Sequence, residues 1–233
     1  MADADADDVS VNETARRLFA PIAPNYDRWS ALLSLGQDPR WRGELVERLE
    51  LPSGARVLDV AAGTGLITQL LEARGYEAVA LDLSSEMLNV ARRRGARAVL
   101  AAAEALPFAD ATFDGLTFGY LLRYTTEPLK TMRELARVVR PGGAIAMVEF
   151  GRPRGVWRPL WWLYTRIGLP LAGLVAGPGW TRVGFFLGPS IDLFHRRFPG
   201  DGITGLWDSA GLTEMRVARR SLGGGLLVWA RRR

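Results

Sequence analysis

Short apolar segments alternate with segments of helical pattern through the middle of the sequence. The apolar segments have the length and the bounding turn residues of buried strands, and they cover residues 56–60, 77–81, 97–101, 113–118 and 144–150. Helical patterns stand between them at residues 66–74, 84–94 and 127–139. This order predicts an α/β fold, a mostly parallel sheet with helices on both faces. Because ligands bind beyond the carboxyl ends of such strands, we expect functional residues at 59–65, 82, 101–104 and 119–124.

The two ends of the chain and one internal segment depart from this alternation. Residues 1–10 are charged and poor in large apolar groups, which predicts a disordered acidic tail. Strand patterns at residues 214–219 and 226–230 flank three consecutive glycines and predict an antiparallel hairpin. Residues 151–195 hold four of the eight tryptophans and are interrupted by proline and glycine. We expect this segment to form a packed cover over the sheet edge.

The composition excludes several kinds of site. The chain has no cysteine and one histidine, His195, so disulfides, thiol nucleophiles and iron–sulfur clusters are excluded, and a multi-histidine metal site is disfavoured. The net charge is +5, and every basic residue except Lys130 is arginine. This excess reflects either a compositional bias or an anionic partner such as a lipid surface or a nucleic acid. No apolar run approaches the roughly 20 residues that a membrane-spanning helix needs.

The most informative local motif is a glycine turn at residues 57–65. An apolar strand ends at Asp59, turns through Ala61 and other small residues, and opens a helix after Gly65. Gly63 and Gly65 let a ligand approach the backbone, and the helix start offers free N–H groups. A dinucleotide fold would show a third glycine, which this turn lacks. The alternatives are an ordinary strand–helix turn or a nucleotide site of another kind.

A second acidic residue, Asp82, ends the next predicted strand about 20 residues after the glycine turn. A carboxylate at that place can accept hydrogen bonds from two ribose hydroxyls. The alternative is that Asp82 caps the helix that follows, because Leu83 and two serines come next. The acid and the glycine turn at this spacing indicate a nucleotide-like ligand more strongly than either feature alone.

These residues resemble those of the class I S-adenosylmethionine-dependent methyltransferases. More closely, the chain resembles the ubiquinone/menaquinone biosynthesis C-methyltransferases, the UbiE/MenG family. The glycine turn and the Pro-Gly-Gly at residues 141–143 are general to methyltransferases, whereas Ile-Ala-Pro-Asn-Tyr-Asp at 22–27 and Leu-Ser-Leu-Gly at 33–36 are more specific. Further similar stretches lie at residues 19–29, 41–42, 82–88, 103–108, 113–114, 123, 135–143, 149–150, 190–191, 198–199 and 210–211.

The resemblance implies a Rossmann-like methyltransferase sheet, S-adenosylmethionine as the cofactor and a quinol ring carbon as the methyl acceptor. Gly63, Thr64 and Gly65 would hold the methionine end of the cofactor, Asp82 its ribose, and Gly119 would lie near the sulfonium. The full set of residues expected to bind the cofactor is Asp59, Ala61, Gly63, Thr64, Gly65, Asp82, Leu83, Ala102, Ala103 and Gly119. Tyr26 and Arg123 would face the acceptor as the catalytic residues, with no metal.

The sequence departs from the family pattern at three places. The family has Asp or Asn where this chain has Ala102, beside the adenine amino group. It has Arg-Asn where this chain has Arg123-Tyr124, and Phe-Gly where this chain has Tyr120-Leu121. The last two changes fall in the expected acceptor pocket, so they bear on the identity of the acceptor rather than on the reaction class.

The chemistry assigns roles on the acceptor side. Methyl transfer is mainly a positioning task, and a cation beside a phenol oxygen would stabilise the charge that develops there. Arg123 is the expected cation, and Tyr26 or Asp27 could accept the ring proton. The alternatives are a surface ion pair between Arg123 and Glu127, and packing of Tyr26 as part of a lid over the cofactor.

The remaining expectations concern the division of the chain and its partners. We expect an N-terminal helical lid at residues 11–50, a cofactor-binding core at 51–150, a tryptophan-rich substrate cover at 151–200, and a C-terminal helix and strands at 201–233. The cover could also carry an apolar channel and meet a membrane surface. Expected partners are an aromatic or quinol substrate, the inner face of a membrane in a cytoplasmic protein, and a second copy in a homodimer, with no nucleic acid. The rival functions are another small-molecule methyltransferase of specialised metabolism, a nucleic-acid methyltransferase and a non-catalytic cofactor-binding subunit.

Overall fold

The computed structural model describes residue 14 and residues 16–233, and a seven-stranded sheet organises this part of the chain. The strands are β1 (Arg56–Val60), β2 (Glu77–Asp82), β3 (Arg97–Leu100), β4 (Phe113–Gly119), β5 (Val139–Phe150), β6 (Leu212–Arg220) and β7 (Gly225–Arg232). Their order is β3-β2-β1-β4-β5-β7-β6, with β1 to β5 parallel and β7 antiparallel to both β5 and β6. The predicted parallel sheet with a C-terminal antiparallel hairpin is confirmed. The acidic tail predicted at residues 1–10 lies outside the described residues.

Nine α-helices surround the sheet in the part of the chain that the structure describes. They are α1 (Tyr26–Leu33), α2 (Gln37–Glu47), α3 (Leu66–Ala73), α4 (Ser85–Arg93), α5 (Pro128–Arg137), α6 (Trp157–Leu163), α7 (Leu169–Ala176), α8 (Pro178–Arg197) and α9 (Gly202–Ser209). A 3-10 helix (Ala20–Asn25) leads into α1, and a π-helical turn (Tyr164–Gly168) joins α6 to α7. Helix α4 begins as expected, because the Ser84 side chain accepts a hydrogen bond from the Met87 N–H.

The core lies on both faces of the sheet, which explains why its central strands are apolar runs rather than alternating ones. One cluster includes Phe113, Phe118 and Trp207, and a second includes Trp41 and Leu45 from helix α2. Strand β1 lies between β2 and β4, so the chain reverses its direction of strand addition at β1. The carboxyl ends of these strands therefore flank the crevice where doubly wound sheets bind ligands.

The Pro-Gly-Gly at residues 141–143 does not separate the predicted helix at 127–139 from the predicted strand at 144–150; it lies inside β5. The pairing shifts there from Phe113 opposite Val139 to Gly115 opposite Ala144, which makes an irregularity in the ladder. A Cβ on Gly143 would come within 2.5 Å of the Val139 side chain. Glycine is required here because the backbone folds back on itself inside the strand.

Residues 151–200 are mostly helical, although proline and glycine interrupt their sequence. Pro170 and Pro178 occupy the first turn of α7 and α8, where a missing N–H costs nothing. Gly173 and Gly184 let these two helices touch, because a Cβ at either position would lie 2.6 Å from a carbonyl oxygen of the other helix. The glycines here are contacts between helices, which a single sequence does not distinguish from loop glycines.

Candidate active site

A cavity of about 220 Å³ opens at the carboxyl ends of β1, β2 and β4. Its floor is the sheet edge, and its roof comes from the N-terminal helices and from α6 to α8. The expected site residues that line it are Tyr26, Ala61, Gly63, Asp82, Leu83, Ala102, Ala103, Gly119 and Arg123. Asp59, Thr64 and Gly65 were expected at the same site but lie outside this lining. The cavity thus joins the expected cofactor side and the expected acceptor side in one space.

The glycine turn forms one end of the cavity. Ala61, Gly63 and Gly65 all have positive φ, at 54°, 58° and 83°. No atom lies within 4 Å of where a Cβ on Gly63 would stand, so the backbone there faces open space. A ligand can therefore reach the main chain at Gly63, as the sequence predicts.

Asp82 lies beside that turn at the end of β2. Its Oδ2 accepts the N–H of Gly63 and its Oδ1 accepts the N–H of Ser84, both at 2.8 Å. Burial raises the pKa of Asp82, and these backbone N–H groups oppose the rise. Each carboxylate oxygen keeps a further acceptor site, so Asp82 can still take two ribose hydroxyls. Ordering the turn and binding ribose are compatible roles for this residue.

The walls next to Asp82 suit a flat, weakly polar ring. Leu83, Met87, Ala102 and Ala103 line the cavity beside the carboxylate. Open backbone at Gly63, a carboxylate at the end of β2 and small apolar walls together fit the methionine, ribose and adenine parts of S-adenosylmethionine. With Ala102 the chain has a methyl group where the resembling family has a polar side chain.

Asp59 lies behind the glycine turn, where its carboxylate has a structural role. The carboxylate is fully buried and accepts hydrogen bonds from the hydroxyls of Thr68, at 2.7 Å, and Thr117, at 3.1 Å. Burial raises the pKa of Asp59 to about 6, although the two hydroxyls oppose the rise. Asp59 therefore ties the strand end to α3 and β4 and shapes the turn from behind.

Thr64 and Asp27 take part in a clasp between α1 and the glycine turn. The Thr64 hydroxyl donates to Asp27 Oδ1 at 2.5 Å, and Arg94 pairs with Asp27 Oδ2 at 2.5 Å. Arg94 also donates to the Thr64 carbonyl at 3.1 Å. Asp27 was expected as one acceptor of the ring proton, but it does not line the cavity. Its carboxylate holds α1 against the glycine turn.

Arg123 is the enclosed cation on the acceptor side. It forms an ion pair with Glu149 at 3.1 Å and donates to the Ser190 hydroxyl at 3.1 Å. Its guanidinium lies 5.2–5.5 Å from the ring centres of Tyr120, Tyr124 and Phe150. Burial lowers the pKa of Arg123, but Glu149 and the neighbouring tyrosines together outweigh burial and hold that pKa above its ordinary value. The alternative of a surface pair with Glu127 is wrong, because Glu127 pairs with Lys130.

Aromatic side chains complete the acceptor side. Tyr26 stacks on Trp180 with ring centres 5.9 Å apart, and burial raises the pKa of Tyr26. Tyr124 stacks on Phe186, and burial raises the pKa of Tyr124 to about 12. The Tyr124 hydroxyl is buried with no hydrogen-bond partner among the residues that the structure describes. The cavity therefore has flat faces for an aromatic acceptor.

Sequence reasoning missed a second polar group on the cavity wall, formed by Asp38, Arg42 and Tyr120. The Arg42 Nε–H donates to both Asp38 oxygens at 2.9 Å, and the Tyr120 hydroxyl donates to Asp38 Oδ1 at 2.5 Å. Asp38 and Arg42 are buried. The available signal was the spacing of four residues between Asp38 and Arg42 on the helix face that also carries Trp41 and Leu45, because charged residues on a core-facing stripe are rarely buried unless they are paired.

Known proteins resemble this chain in sequence. The model of the ubiE/COQ5 methyltransferase family matches residues 7–230. A demethylmenaquinone methyltransferase of Paenarthrobacter aurescens is 37% identical over 91% of this chain and 82% of its own length. The enzyme of the same name from Parafrankia sp. is 38% identical over 91% and 90%. That from Renibacterium salmoninarum is 42% identical over 66% of each chain.

Solved structures resemble the fold at much lower identity. A SAM-dependent methyltransferase from Thermotoga maritima has a TM-score of 0.66 and 18% identity, over 94% of this chain and 99% of its own. A phosphoethanolamine N-methyltransferase 2 from Haemonchus contortus, in complex with S-adenosyl-L-methionine, has a TM-score of 0.58 and 14% identity, over 83% of this chain and 52% of its own. At this identity the likeness concerns the fold alone.

Proposed function

Because the chain belongs to the ubiE/COQ5 methyltransferase family and is an S-adenosylmethionine-dependent methyltransferase, we propose that it methylates a ring carbon of a demethylmenaquinol-type quinol. Relatives that cover most of the chain carry the name demethylmenaquinone methyltransferase. The observation that carries the proposal is the acceptor half of the cavity, where a buried arginine lies among three aromatic rings. A flat ring that develops negative charge matches that surface.

The cofactor half assigns the binding residues. Gly63 and the turn around it would hold the methionine end, Asp82 the ribose, and Ala102 and Ala103 the adenine. When bound, S-adenosylmethionine supplies an electrophilic methyl group. The protein's task is to hold the acceptor carbon in line with that group and to exclude water, which the closed roof of helices supports.

Arg123 would stabilise the acceptor oxygen as it becomes phenolate-like. Its charge is held away from water, where a fixed cation acts more strongly than in solution. Glu149 and Ser190 fix the guanidinium plane, so it need not reorganise during the reaction. Tyr26 would pack against the acceptor ring beside Trp180.

The test is methyl transfer from labelled S-adenosylmethionine to a reduced short-chain demethylmenaquinone, read by mass spectrometry. Removing a preorganised charge of this kind costs about 100- to 1000-fold in kcat, so we expect that loss for Arg123→Ala with cofactor affinity kept. Arg97→Ala is the matched control, because Arg97 is exposed at the amino end of β3. If the protein binds the cofactor but forms no quinol product, the quinol acceptor is wrong and another small molecule is favoured. Tyr124, which departs from the family pattern in the acceptor pocket, would be the residue that best explains such a change of acceptor.

We also propose that the protein touches a membrane surface through α6 and α7. No helix in the described part of the chain is long and apolar enough to cross a membrane. Large apolar side chains are nevertheless exposed on these two helices and at the residue before α6: Val156, Trp157, Leu160, Trp162, Leu163, Leu171, Leu174 and Val175. Exposed Arg154 and Arg158 lie beside them. Tryptophan and arginine beside an apolar surface suit the headgroup region of an anionic bilayer.

The same helices support delivery of an isoprenoid-bearing acceptor. Trp161, Tyr164 and Leu169 face the cavity, while Leu160, Trp162 and Leu163 beside them are exposed. An acceptor whose apolar tail stays in the bilayer could thus present its ring to the cavity. The cover at residues 151–200 would be the membrane-facing part of the molecule.

Vesicle sedimentation tests the contact. We expect binding to phosphatidylglycerol vesicles, weaker binding to phosphatidylcholine vesicles, and at least a tenfold loss of binding for Trp162→Asp with Leu174→Asp. Val217→Asp is the matched control, because Val217 is an exposed apolar residue on β6. Unchanged vesicle binding of the double variant would contradict the proposal. The proposal would also fail if the double variant changed its oligomeric state but still bound vesicles like the wild type.

A further inference from the structure

Tyr120 and Asp38 form a hydrogen-bonded pair on the wall of the active-site cavity. The hydroxyl donates to a carboxylate that Arg42 holds from the other side through both oxygens. All three groups are enclosed. A tyrosine that lines the cavity and donates a hydrogen bond to a fixed carboxylate has the connectivity of a proton relay.

The backbone at Tyr120 is unusual for a residue with a side chain. Its φ is +60°, in the left-handed region that disfavours residues other than glycine. Several contacts hold it there: the N–H bonds to the Val148 carbonyl at 2.9 Å, and the ring stacks on Phe150 with centres 4.7 Å apart. Strain kept in place by its surroundings is found at functional sites. Here it aims a hydroxyl at the point where β4 ends and the cavity begins.

We propose that Tyr120 relays the phenolic proton of the acceptor to Asp38, an inference that rests on the proposed quinol acceptor. The acceptor O–H breaks, a new O–H forms on Tyr120, and the original Tyr120 proton forms an O–H on Asp38 Oδ1. The negative charge moves from the carboxylate to the acceptor oxygen. Electron density then rises at the neighbouring ring carbon, which is the carbon to be methylated.

The proton returns after the carbon–carbon bond has formed. The ring hydrogen at the methylated carbon leaves as one proton to water, and the proton stored on Asp38 passes back through Tyr120 to the ring oxygen. The phenol and the carboxylate are thereby restored. The balance is one methyl group gained by the ring, one methyl–sulfur bond broken and one proton released, with no oxidant or reductant.

The surroundings support a relay rather than a permanently ionised tyrosine. Tyr120 faces Asp38 and Arg42 from α2, Tyr26 from α1 and Arg123 from the segment after β4. Burial and Asp38 raise the pKa of Tyr120 well above its ordinary value, so the side chain keeps its proton between turnovers. Arg42 remains as a cation when Asp38 is protonated. Tyr124 lacks a comparable acceptor in the described structure.

The experiment compares Tyr120→Phe, Asp38→Asn and the wild-type protein on a reduced short-chain demethylmenaquinone between pH 6 and pH 9. Proton relays contribute about 100- to 10,000-fold, so we expect each variant to lose at least 100-fold in kcat at pH 7 with cofactor affinity within twofold. The deficit should shrink at least tenfold toward pH 9, where the acceptor ionises in solution. It should also shrink on a fluorinated quinol, whose phenol is more acidic.

Tyr76→Phe is the matched control, because the Tyr76 hydroxyl donates to the Leu51 carbonyl away from the cavity. Activity of Tyr120→Phe within threefold of the wild type would overturn the relay. A loss of equal size at every pH and on both acceptors would also overturn it, because it would assign the hydroxyl a merely structural role. Wild-type protein that methylates no quinol would instead remove the proposed function, and the relay with it.

Discussion

Individual buried carboxylates show how charged side chains are held in place at this site. Asp59, Glu149 and Asp38 are all buried, and each is matched by donors from neighbouring elements. Buried carboxylates are costly unless they are paired in this way. The chain places them at the ends of strands or on core-facing helix positions, where they can hold the turn, the cation or the relay in position.

Asp59 gives a stability prediction at this scale. Its folded pKa of about 6 is raised from about 3.9 in the unfolded chain. A raised carboxyl pKa means that the folded state binds the proton more tightly, so the free energy of unfolding falls as pH rises from about 4 to about 6. Two pKa units correspond to about 3 kcal/mol.

Urea unfolding of wild type and Asp59→Asn from pH 4 to pH 7 measures this effect. The difference in unfolding free energy between them should change in the variant's favour by up to about 3 kcal/mol across that range. Asp114→Asn serves as a control, because Asp114 is a partly exposed carboxylate at the amino end of β4. A difference that stays constant with pH would contradict the assignment.

The position of the glycine turn at the cavity could be predicted from sequence, because its left-handed backbone conformation favours glycine. Gly63, Asp82 and Gly119 lie on the cavity wall as expected. Tyr120 was expected near the acceptor, but its contact with Asp38 could not be predicted, because the two residues meet across 82 residues of sequence. Only the fold brings α2 onto the end of β4.

At the scale of elements, helix α1, which was expected to form part of a lid, has few polar contacts with the core in the described part of the chain. The Asp27 clasp to Thr64 and Arg94 is the polar link between α1 and the glycine turn. The same turn would hold the cofactor, so lid position and cofactor binding are coupled through Thr64. Helix α1 has no fully buried residue of its own.

Asp27→Ala tests that coupling. Loss of the clasp should accelerate hydrogen exchange of residues 20–33 and weaken S-adenosylmethionine binding about three- to tenfold, which corresponds to about 1 kcal/mol for a partly exposed charged contact. Arg74 and Glu47 form an exposed ion pair between other helices, so Glu47→Ala is the control. Identical exchange and affinity in Asp27→Ala would show that the clasp is not needed.

The elements that sequence predicted best are those with apolar runs and standard caps. Strand β1 has the predicted bounds, and helix α4 begins at its Ser84 cap. The helices of residues 151–200 were hidden by prolines and glycines that serve helix starts and helix contacts. Glycine and proline occur in loops, but also at helix–helix contacts and helix starts, and only the tertiary contacts distinguish these cases.

At the scale of the whole molecule, a single cavity lies at one edge of the sheet. Its expected cofactor side is formed by the ends of β1 and β2, and its expected acceptor side by the end of β4 together with α1, α2 and helices of residues 151–200. The mostly parallel sheet and the expected cofactor side follow from sequence periodicity and turn chemistry. The acceptor side does not, because its residues come from distant segments.

The most direct measurement of the central claim is methyl transfer to a demethylmenaquinol that carries deuterium at its unsubstituted ring carbon. C-methylation must expel that deuterium, so we predict a product with one added methyl group and no ring deuterium. A methylated product that keeps its ring deuterium would show transfer to oxygen, and it would contradict the account of this protein as a ring C-methyltransferase.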